Sequence, residues 1–455
     1  RRARRVEARA AAWSGALALA AVTSTAAAHA GPAADQVFRC GGERATLVGT
    51  VRSDELVGTA GRDVVVARGG DDFVRTGAGK DLVCAGDGFD NVRLGPGRDR
   101  ALGGAGDDAL DGGAGRDTLR GEGDVDALFG GSGGDVLLGG PGTSIIVEGL
   151  IGGPGDDRLV GGRGLDTAQY FDAPRGVRVN LRSGRATGFG ADVLVGIEGV
   201  VGSNFADDII GDRGGNGLFG QAGADTIRSG GSGTVAAGTA DVIAGDQGDD
   251  TVFAAAGEDL LTYGRLPLGV SVDLGQGTAR GQGRDVVRGV EGVIGSRLDD
   301  TLTGGPRDDY LAGSTGDDVI DGRRGDDVVI YRDVPGPVEV VLDPSLLPGT
   351  QTGPGHGGGK FAGTDTLRAV EDIWGTSAAD ALYGDGGRNT IMGFAGDDEL
   401  VGFGGVDRVD GGAGTDLCDD EPAELYDCEP ATSAQTLSGS PSWSPWLRHN
   451  VPRGP

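Results

Sequence analysis

Between Gly49 and Val147 one large aliphatic side chain returns every nine residues, and most of what lies between is polar or glycine. Leu56, Val65, Val74, Val83, Val92, Leu110, Leu119, Leu128 and Leu137 all hold the eighth place of eleven consecutive nine-residue units, with no slip of register. In a three-residue strand a single central side chain can face inward. Each unit therefore predicts one very short strand followed by one tight turn, which together use up the nine residues. The pattern implies an all-β stack of repeated strands.

The shared unit is Gly-Gly-x-Gly-x-Asp-x-U-x, where U is the aliphatic. GGAGDDALD (Gly103 to Asp111) and GGAGRDTLR (Gly112 to Arg120) are nearly perfect, whereas GTVRSDELV (Gly49 to Val57) keeps the first Gly, the Asp and the Leu. The sixth place holds Asp54, Asp63, Asp72, Asp81, Asp90, Asp99, Asp108, Asp117, Asp126 and Asp135, and Ser144 closes the series. Glycine tolerates positive φ, so alternating glycines let the chain turn sharply and aim carbonyl oxygens at one point. A carboxylate after that turn completes a cage of oxygen donors, which suits a hard cation such as calcium with about six to eight oxygen ligands.

These residues resemble the haemolysin-type, or RTX, calcium-binding repeat family in its exported bacterial form. The resemblance implies a right-handed parallel β-roll or β-helix solenoid, with two nonapeptides per coil and Ca2+ held between turns stacked on the same side. Same-side turns would then lie eighteen residues apart, so that Asp108 shares ions with Asp90 and Asp126, and Asp117 with Asp99 and Asp135. Stacked carboxylates about 4.8 Å apart repel by roughly 3 kcal/mol at an effective dielectric of 20. Without the cation the array is expected to be largely disordered, which ties binding to folding.

Beyond Val147 the array is punctuated. Glu148 to Ile151 interrupts the register, and GGPGDDRLV and GGRGLDTAQ restore it from Gly152 to Gln169 with Asp157 and Asp166 in sixth place. A larger element then follows three times, led by Tyr170, Tyr263 and Tyr331. It runs through VRVNL, VSVDL or VEVVL into ADVLVGIEGVVGS, RDVVRGVEGVIGS or TDTLRAVEDIWGT. Alternating apolar residues mark strands, read here as longer strands that continue the solenoid; the third copy also carries a Gly/Pro-rich loop from Pro344 to Gly359. Between the copies, good units place Asp207, Asp225, Asp250, Asp259, Asp300, Asp309, Asp318, Asp327, Asp380, Asp398, Asp407 and Asp416 in sixth place, with Asn216 and Asn389 as weaker substitutes and Ser229 to Ala244 degenerate.

The expected organisation is a signal peptide (1–30), an N-terminal cap (31–48), nonapeptide arrays (49–169, 202–262, 295–330, 375–420), interruptions (170–201, 263–294, 331–374), and a C-terminal cap with a disordered tail (421–455). The signal rests on the basic Arg1 to Arg9, the Ala/Leu/Val-rich Ala10 to Ala28, and the small-x-small site Ala28-His29-Ala30. It predicts a secreted chain with no integral membrane segment after cleavage. Four cysteines suit an oxidising compartment. Some twenty coils at about 4.8 Å each would hold the two ends on the order of 100 Å apart, which leaves Cys40 with Cys84 and Cys418 with Cys428 as the pairs that can meet.

Composition narrows the function. Glycine takes 94 of 455 positions and apolar residues 37%, so no ordinary globular core is being built. A formal charge of −29 repels nucleic acid and anionic membranes. No H-E-x-x-H occurs, and the G-x-S-x-G match at Gly130 to Gly134 and the G-x-G-x-x-G match at Gly215 to Gly220 lie within glycine-rich repeats without strand-turn-helix context. Every prominent carboxylate is accounted for by the repeat.

The reading is therefore a calcium-binding repeat protein, not an enzyme, with a structural or adhesive role and a cell-surface polymer or protein as a possible partner. Its candidate metal ligands are Asp72, Asp81, Asp90, Asp99, Asp108, Asp117, Asp126, Asp135, Asp157, Asp166, Asp225, Asp250, Asp309, Asp318, Asp327, Asp398, Asp407 and Asp416. Fifth-place acids such as Asp71 and Asp107 are read as solvated. The alternative is an extracellular hydrolase or polysaccharide-active enzyme on the same scaffold, which exposed aromatic and acidic residues around Tyr170, Tyr263 and Tyr331 would favour.

Overall fold

The computed structural model describes residues 37–141, 147–231, 240–255, 257–346 and 355–419. The expected signal peptide, the C-terminal cap and tail with Cys428, Ser144, and much of the loop from Pro344 to Gly359 lie outside the described residues. Within them the structure is β, apart from two single 3-10 turns at Leu181–Ser183 and Pro344–Leu346. No helix among the described residues is long and apolar enough to cross a membrane. The chain divides into two compact units, one running to Tyr170 and including Gly184–Ile197, the other made of Phe171–Ser183 and the chain from Glu198 onward.

The first unit stacks successive nonapeptides alternately into two parallel sheets. One sheet runs through Val64–Gly69, Leu82–Asp87, Arg100–Ala105, Thr118–Glu122, Val136–Gly140 and Arg158–Gly162. The other runs through Phe73–Arg75, Asn91–Gly97, Ala109–Gly115, Ala127–Phe129 and Val147–Ile151. Two nonapeptides thus complete one coil. Val65, Val83, Ala101, Leu119 and Leu137 are consecutive register partners, as are Leu56, Val74, Val92, Leu110 and Leu128 in the facing sheet. All ten are buried, so the eighth-place residues form the core, each buried Val or Leu contributing about 1.5 to 3 kcal/mol.

Strands in this unit are longer than the three residues expected, reaching seven at Asn91–Gly97 and Ala109–Gly115. The pairing continues through the glycines of the turn, where Gly113 partners Gly95 and Gly115 partners Gly97. Four extra residues at the Glu148 interruption are absorbed without loss of register, since Leu137 pairs with Leu159. The start of the unit is closed by a hairpin, Arg39–Cys40 with Glu43–Arg44. The expected Cys40–Cys84 disulfide ties it down beside Val64 and Leu82. Cys418 is also disulfide-bonded.

The second unit keeps the two-sheet plan with three-residue strands. Val200, Leu218, Ile243, Leu261, Val293, Leu311, Val329, Ile373, Ile391 and Val409 form one unbroken column of register partners. The interruptions are confined to the facing sheet, and there the expectation of longer strands continuing the solenoid needs refinement. Arg284–Arg288 and Gly363–Arg368 do run longer, at five and six residues. The excursion before them, however, is antiparallel. Ser271–Asp273 turns back into Thr278–Arg280, which pairs with Arg284–Arg288, and Glu339–Val341, Gly355–Gly359 and Gly363–Arg368 repeat the arrangement. In the first unit Arg185–Thr187 likewise opposes Ala191–Val195. The chain skips ahead, reverses to fill the gap, and rejoins the parallel stack at both ends, with Arg284–Arg288 on Thr251–Phe253 and Ser271–Asp273 on Thr301–Thr303.

Candidate metal centre

The turn between strands is shaped by backbone that a side chain would obstruct. Gly115, in the fourth place of its unit, has a φ of +140°, where residues with a Cβ are strained. A Cβ there would also lie 1.6 Å from the Gly97 carbonyl oxygen, one coil back. The first glycine faces a different neighbourhood. A Cβ on Gly103 would meet Asp108 Oδ2 at 2.3 Å and the Gly121 carbonyl oxygen at 2.8 Å. The same pairing of an aspartate Oδ2 with a carbonyl from the next coil recurs at Gly112, Gly220 and Gly393. Each such turn encloses a small recess lined by oxygen.

The aspartates beside these recesses stack into two ladders, one along each set of turns. In the first, the backbone N–H of each Asp donates to Oδ1 of the Asp one coil on. Asp54 donates to Asp72 (2.8 Å), Asp72 to Asp90 (2.8 Å), Asp90 to Asp108 (2.8 Å) and Asp108 to Asp126 (2.9 Å). The second ladder runs through Asp63, Asp81, Asp99, Asp117, Asp135, Asp157 and Asp192. The second unit carries matching runs: Asp207, Asp225, Asp250, Asp285; Asp300, Asp318, Asp365; and Asp380, Asp398, Asp416. On its other set of turns Asn216, Asp241, Asp259 and Glu291 follow in order, then Asp309, Asp327 and Glu371, then Asn389 and Asp407.

The other carboxylate oxygen decides the chemistry. Oδ2 of Asp72, Asp81, Asp90, Asp99, Asp108, Asp117, Asp126, Asp135, Asp157, Asp225, Asp250, Asp318, Asp327 and Asp398 is buried and accepts no hydrogen bond. A buried carboxylate in that position strongly disfavours its own charge. Burial pushes the Asp108 carboxyl up to about 9, and Asp126, Asp90 and Asp107 add repulsion, against the Asp90 N–H that favours the charge. Burial likewise lifts Asp126 and Asp318 to about 8, and Asp117, Asp157 and Asp225 to about 7. Such a column of carboxylates needs positive charge that brings no bulk of its own, and a hard cation among carboxylate and carbonyl oxygens meets that need. Among the described residues no three acidic, histidine or cysteine side chains gather at one point. Backbone carbonyls therefore have to supply much of any coordination shell.

Several ladder carboxylates are satisfied by hydroxyls instead. Thr59 caps Asp63 through both its N–H (2.7 Å) and its hydroxyl (3.1 Å) on Oδ2. Ser203, Ser296 and Thr376 cap Asp207, Asp300 and Asp380 with an N–H on Oδ2 at 2.6 Å and a hydroxyl on Oδ1 at 2.8 to 2.9 Å. Tyr170, Tyr263 and Tyr331 donate to Oδ2 of Asp192, Asp285 and Asp365 at 3.0, 2.9 and 2.8 Å.

Comparison with protein families gives a direct match to these turns. The RTX calcium-binding nonapeptide repeat (4 copies) matches residues 48–83, 85–119, 102–137, 111–146, 150–168, 201–232, 236–265, 294–329, 374–402 and 383–418, which together make up more than half of the chain. The chain belongs to the RTX calcium-binding repeat family. RTX nonapeptide repeats bind calcium ions. No curated protein matches the chain.

Of the eighteen aspartates expected from sequence, the fourteen with an unmet Oδ2 stand together in the RTX ladders. Asp166 is buried beside a recess of the same kind, with its Oδ2 and the Gly196 carbonyl oxygen both close to Gly161; Asp407 is buried in the ladder as acceptor from Asn389, and Asp416 ends the last run as acceptor from Asp398. Asp309 differs, because its Oδ2 accepts the Gly305 N–H at 2.5 Å. Sequence reading passed over Asp192, Asp285, Asp365, Glu291 and Glu371, which carry the ladders into the interruptions. Their signal was present as the first Asp of ADVLV, RDVVR and TDTLR and the Glu of GVEGV and AVEDI. It also passed over Asp241 in the degenerate stretch, where DVIAG keeps the Asp, the aliphatic and the following Gly. The fifth-place acids, exposed at Asp71 and half-buried at Asp107, are not merely solvated, since Oδ1 of Asp71 and Asp107 accepts the N–H of Phe89 (3.1 Å) and Val125 (3.2 Å) one coil on. Tyr170, Tyr263 and Tyr331 themselves are buried.

Proposed function

We propose that this chain is an exported calcium-binding repeat protein whose roll assembles on calcium outside the cell and serves there as a structural or adhesive element. The observation that carries this reading is the column of buried Oδ2 atoms that accept no hydrogen bond, repeated from coil to coil within the nonapeptide runs and facing carbonyl oxygens. Asp72, Asp81, Asp90, Asp99, Asp108, Asp117, Asp126, Asp135, Asp157, Asp225, Asp250, Asp318, Asp327 and Asp398 are the proposed ligands, with Asp166 beside the Gly161 recess, Asp407 and Asp416 at matching ladder positions and Asp309 at a run start. Calcium, when bound, supplies the positive charge that allows neighbouring carboxylates to remain ionised at close spacing. The residues of the chain do the rest: the N–H of the previous Asp fixes each carboxylate through Oδ1, and the turn glycines bring the backbone close enough to present its carbonyls. The Cys40–Cys84 bond accords with an oxidising compartment, and extracellular sites of this kind bind calcium with dissociation constants of about 0.1 to 1 mM.

The test is a calcium titration of the mature chain, followed by circular dichroism with bound ions counted per chain. β signal should be low in chelator and rise cooperatively near millimolar calcium. An equal signal in chelator would sink the proposal.

A further inference from the structure

The three interruptions close their aspartate runs in one way, and this closure has a consequence for calcium dependence that builds on the reading above. Asp192, Asp285 and Asp365 each receive the N–H of the preceding ladder Asp on Oδ1, at 3.1, 3.2 and 3.0 Å. Oδ2 of each receives a tyrosine hydroxyl, and the three tyrosines are 2%, 2% and 1% exposed. One coil earlier, Oδ2 of Asp157, Asp250 and Asp318 accepts nothing. We propose that the hydroxyls of Tyr170, Tyr263 and Tyr331 take the cation's place at the last carboxylate of each run, so that the interruptions hold together without calcium while the nonapeptide runs do not.

The topology explains why the cap is needed at these points. Beside each capped Asp the sheet reverses, with Thr278–Arg280 antiparallel to Arg284–Arg288 and Gly355–Gly359 antiparallel to Gly363–Arg368. A reversed strand stacks no nonapeptide turn over that carboxylate, so a cation there would have ladder oxygens on one side only. A phenol O–H needs no second turn, because one charge-assisted hydrogen bond satisfies the oxygen. In the second unit the next run then opens on a carboxylate that is also met by protein alone. Asp300 takes the N–H and hydroxyl of Ser296 and the N–H of Val270, and Asp380 takes those of Thr376 and the N–H of Val338. The interruptions bring apolar packing of their own as well, with Leu266, Val270, Val272 and Val290 all buried in the second copy.

Hydrogen exchange read by mass spectrometry on the full mature chain, in chelator and in millimolar calcium, tests the proposal. Peptides within 263–296, 331–345 and 355–376 should be protected in chelator, whereas peptides within 85–138 should exchange freely there and gain protection on adding calcium. Tyr263→Phe keeps the buried ring and removes the hydroxyl. It should speed exchange over 284–294 in chelator by about tenfold or more, the scale of a hydrogen bond to a charged group, with little change in calcium. Interruptions that exchange as fast as 85–138 in chelator, or a Tyr263→Phe chain that exchanges like the parent, would overturn it. If 85–138 were equally protected with and without calcium, the calcium-folding reading would fail instead, and Tyr263→Phe would still judge the cap by itself.

Discussion

Replacing one ladder carboxylate by its amide should change stability in opposite directions with and without calcium. Asp108 is the position to use, because its Oδ2 is buried without a hydrogen bond while its Oδ1 accepts the Asp90 N–H. In chelator at pH 7 the folded roll holds this carboxyl neutral, since burial raises it to about 9 from the ordinary 3.8. Taking up that proton costs roughly three pKa units of free energy, about 4 kcal/mol. Asparagine carries no such cost, and the chain already uses it in this place. Asn216 and Asn389 sit in the ladder with Nδ2 donating to the carbonyls of Glu198 (3.2 Å) and Glu371 (2.6 Å). Asp108→Asn should therefore favour the calcium-free roll by up to about 4 kcal/mol, read as a lower midpoint when trimethylamine oxide is titrated in chelator and folding is followed by circular dichroism. In calcium the same change removes an anionic ligand shared between coils. The calcium midpoint should rise about tenfold or more, the loss expected for an interaction with a charged group. A shift of the same sign in both titrations would refute the assignment of Asp108 as a ligand.

In chelator burial raises the folded carboxyls of Asp90 and Asp300 to about 6 and that of Asp108 to about 9, against 3.8 when unfolded, so the folded chain binds more protons between about pH 4 and 9. Calcium-free β signal should be greatest near pH 4 and decline as pH rises toward 9, while calcium affinity rises with pH because ligation needs the ionised carboxylate; pH titrations by circular dichroism in both conditions check the crossing. Gly115→Ala should destabilise the calcium-loaded roll by on the order of 3 kcal/mol, from strained φ and the clash with the Gly97 carbonyl, whereas Ala114→Ser at an exposed third place should leave the melting temperature unchanged. Asp71→Ala gives up one exposed hydrogen bond to Phe89, so it should cost about 1 kcal/mol or less and leave the number of bound ions as in the parent. Magnesium at the same concentration should not restore β signal, since it dehydrates reluctantly and demands octahedral geometry.

The period of nine, the sixth-place Asp and the eighth-place aliphatic are local properties, and they sufficed for strand spacing, inward residues and candidate ligands. Leu119 faces the core because it follows Asp117 by two residues in a strand, a relation that needs no knowledge of the rest of the chain. The same locality explains why the fourteen unmet carboxylates were legible in the repeat. Sequence alone was less able to tell a ligand from a capped carboxylate. Asp225 and Asp207 occupy the same place in their units, yet Asp225 has an unmet Oδ2 while Asp207 is enclosed by Ser203. The second-place Ser or Thr in GSNFAD, GSRLDD and GTSAAD is the local mark of that difference, and its meaning emerges once each run has a visible beginning.

What the tertiary structure decided was where the parallel stack reverses. The pairing of Tyr263 with Asp285, and of Tyr331 with Asp365, joins residues 22 and 34 positions apart. It arises because an antiparallel excursion of variable length is folded into one sheet while the facing sheet keeps its register. A repeat determines each coil through contacts with the coil before it. The end of a run has no such neighbour, so its chemistry was set by whichever group the fold brought there.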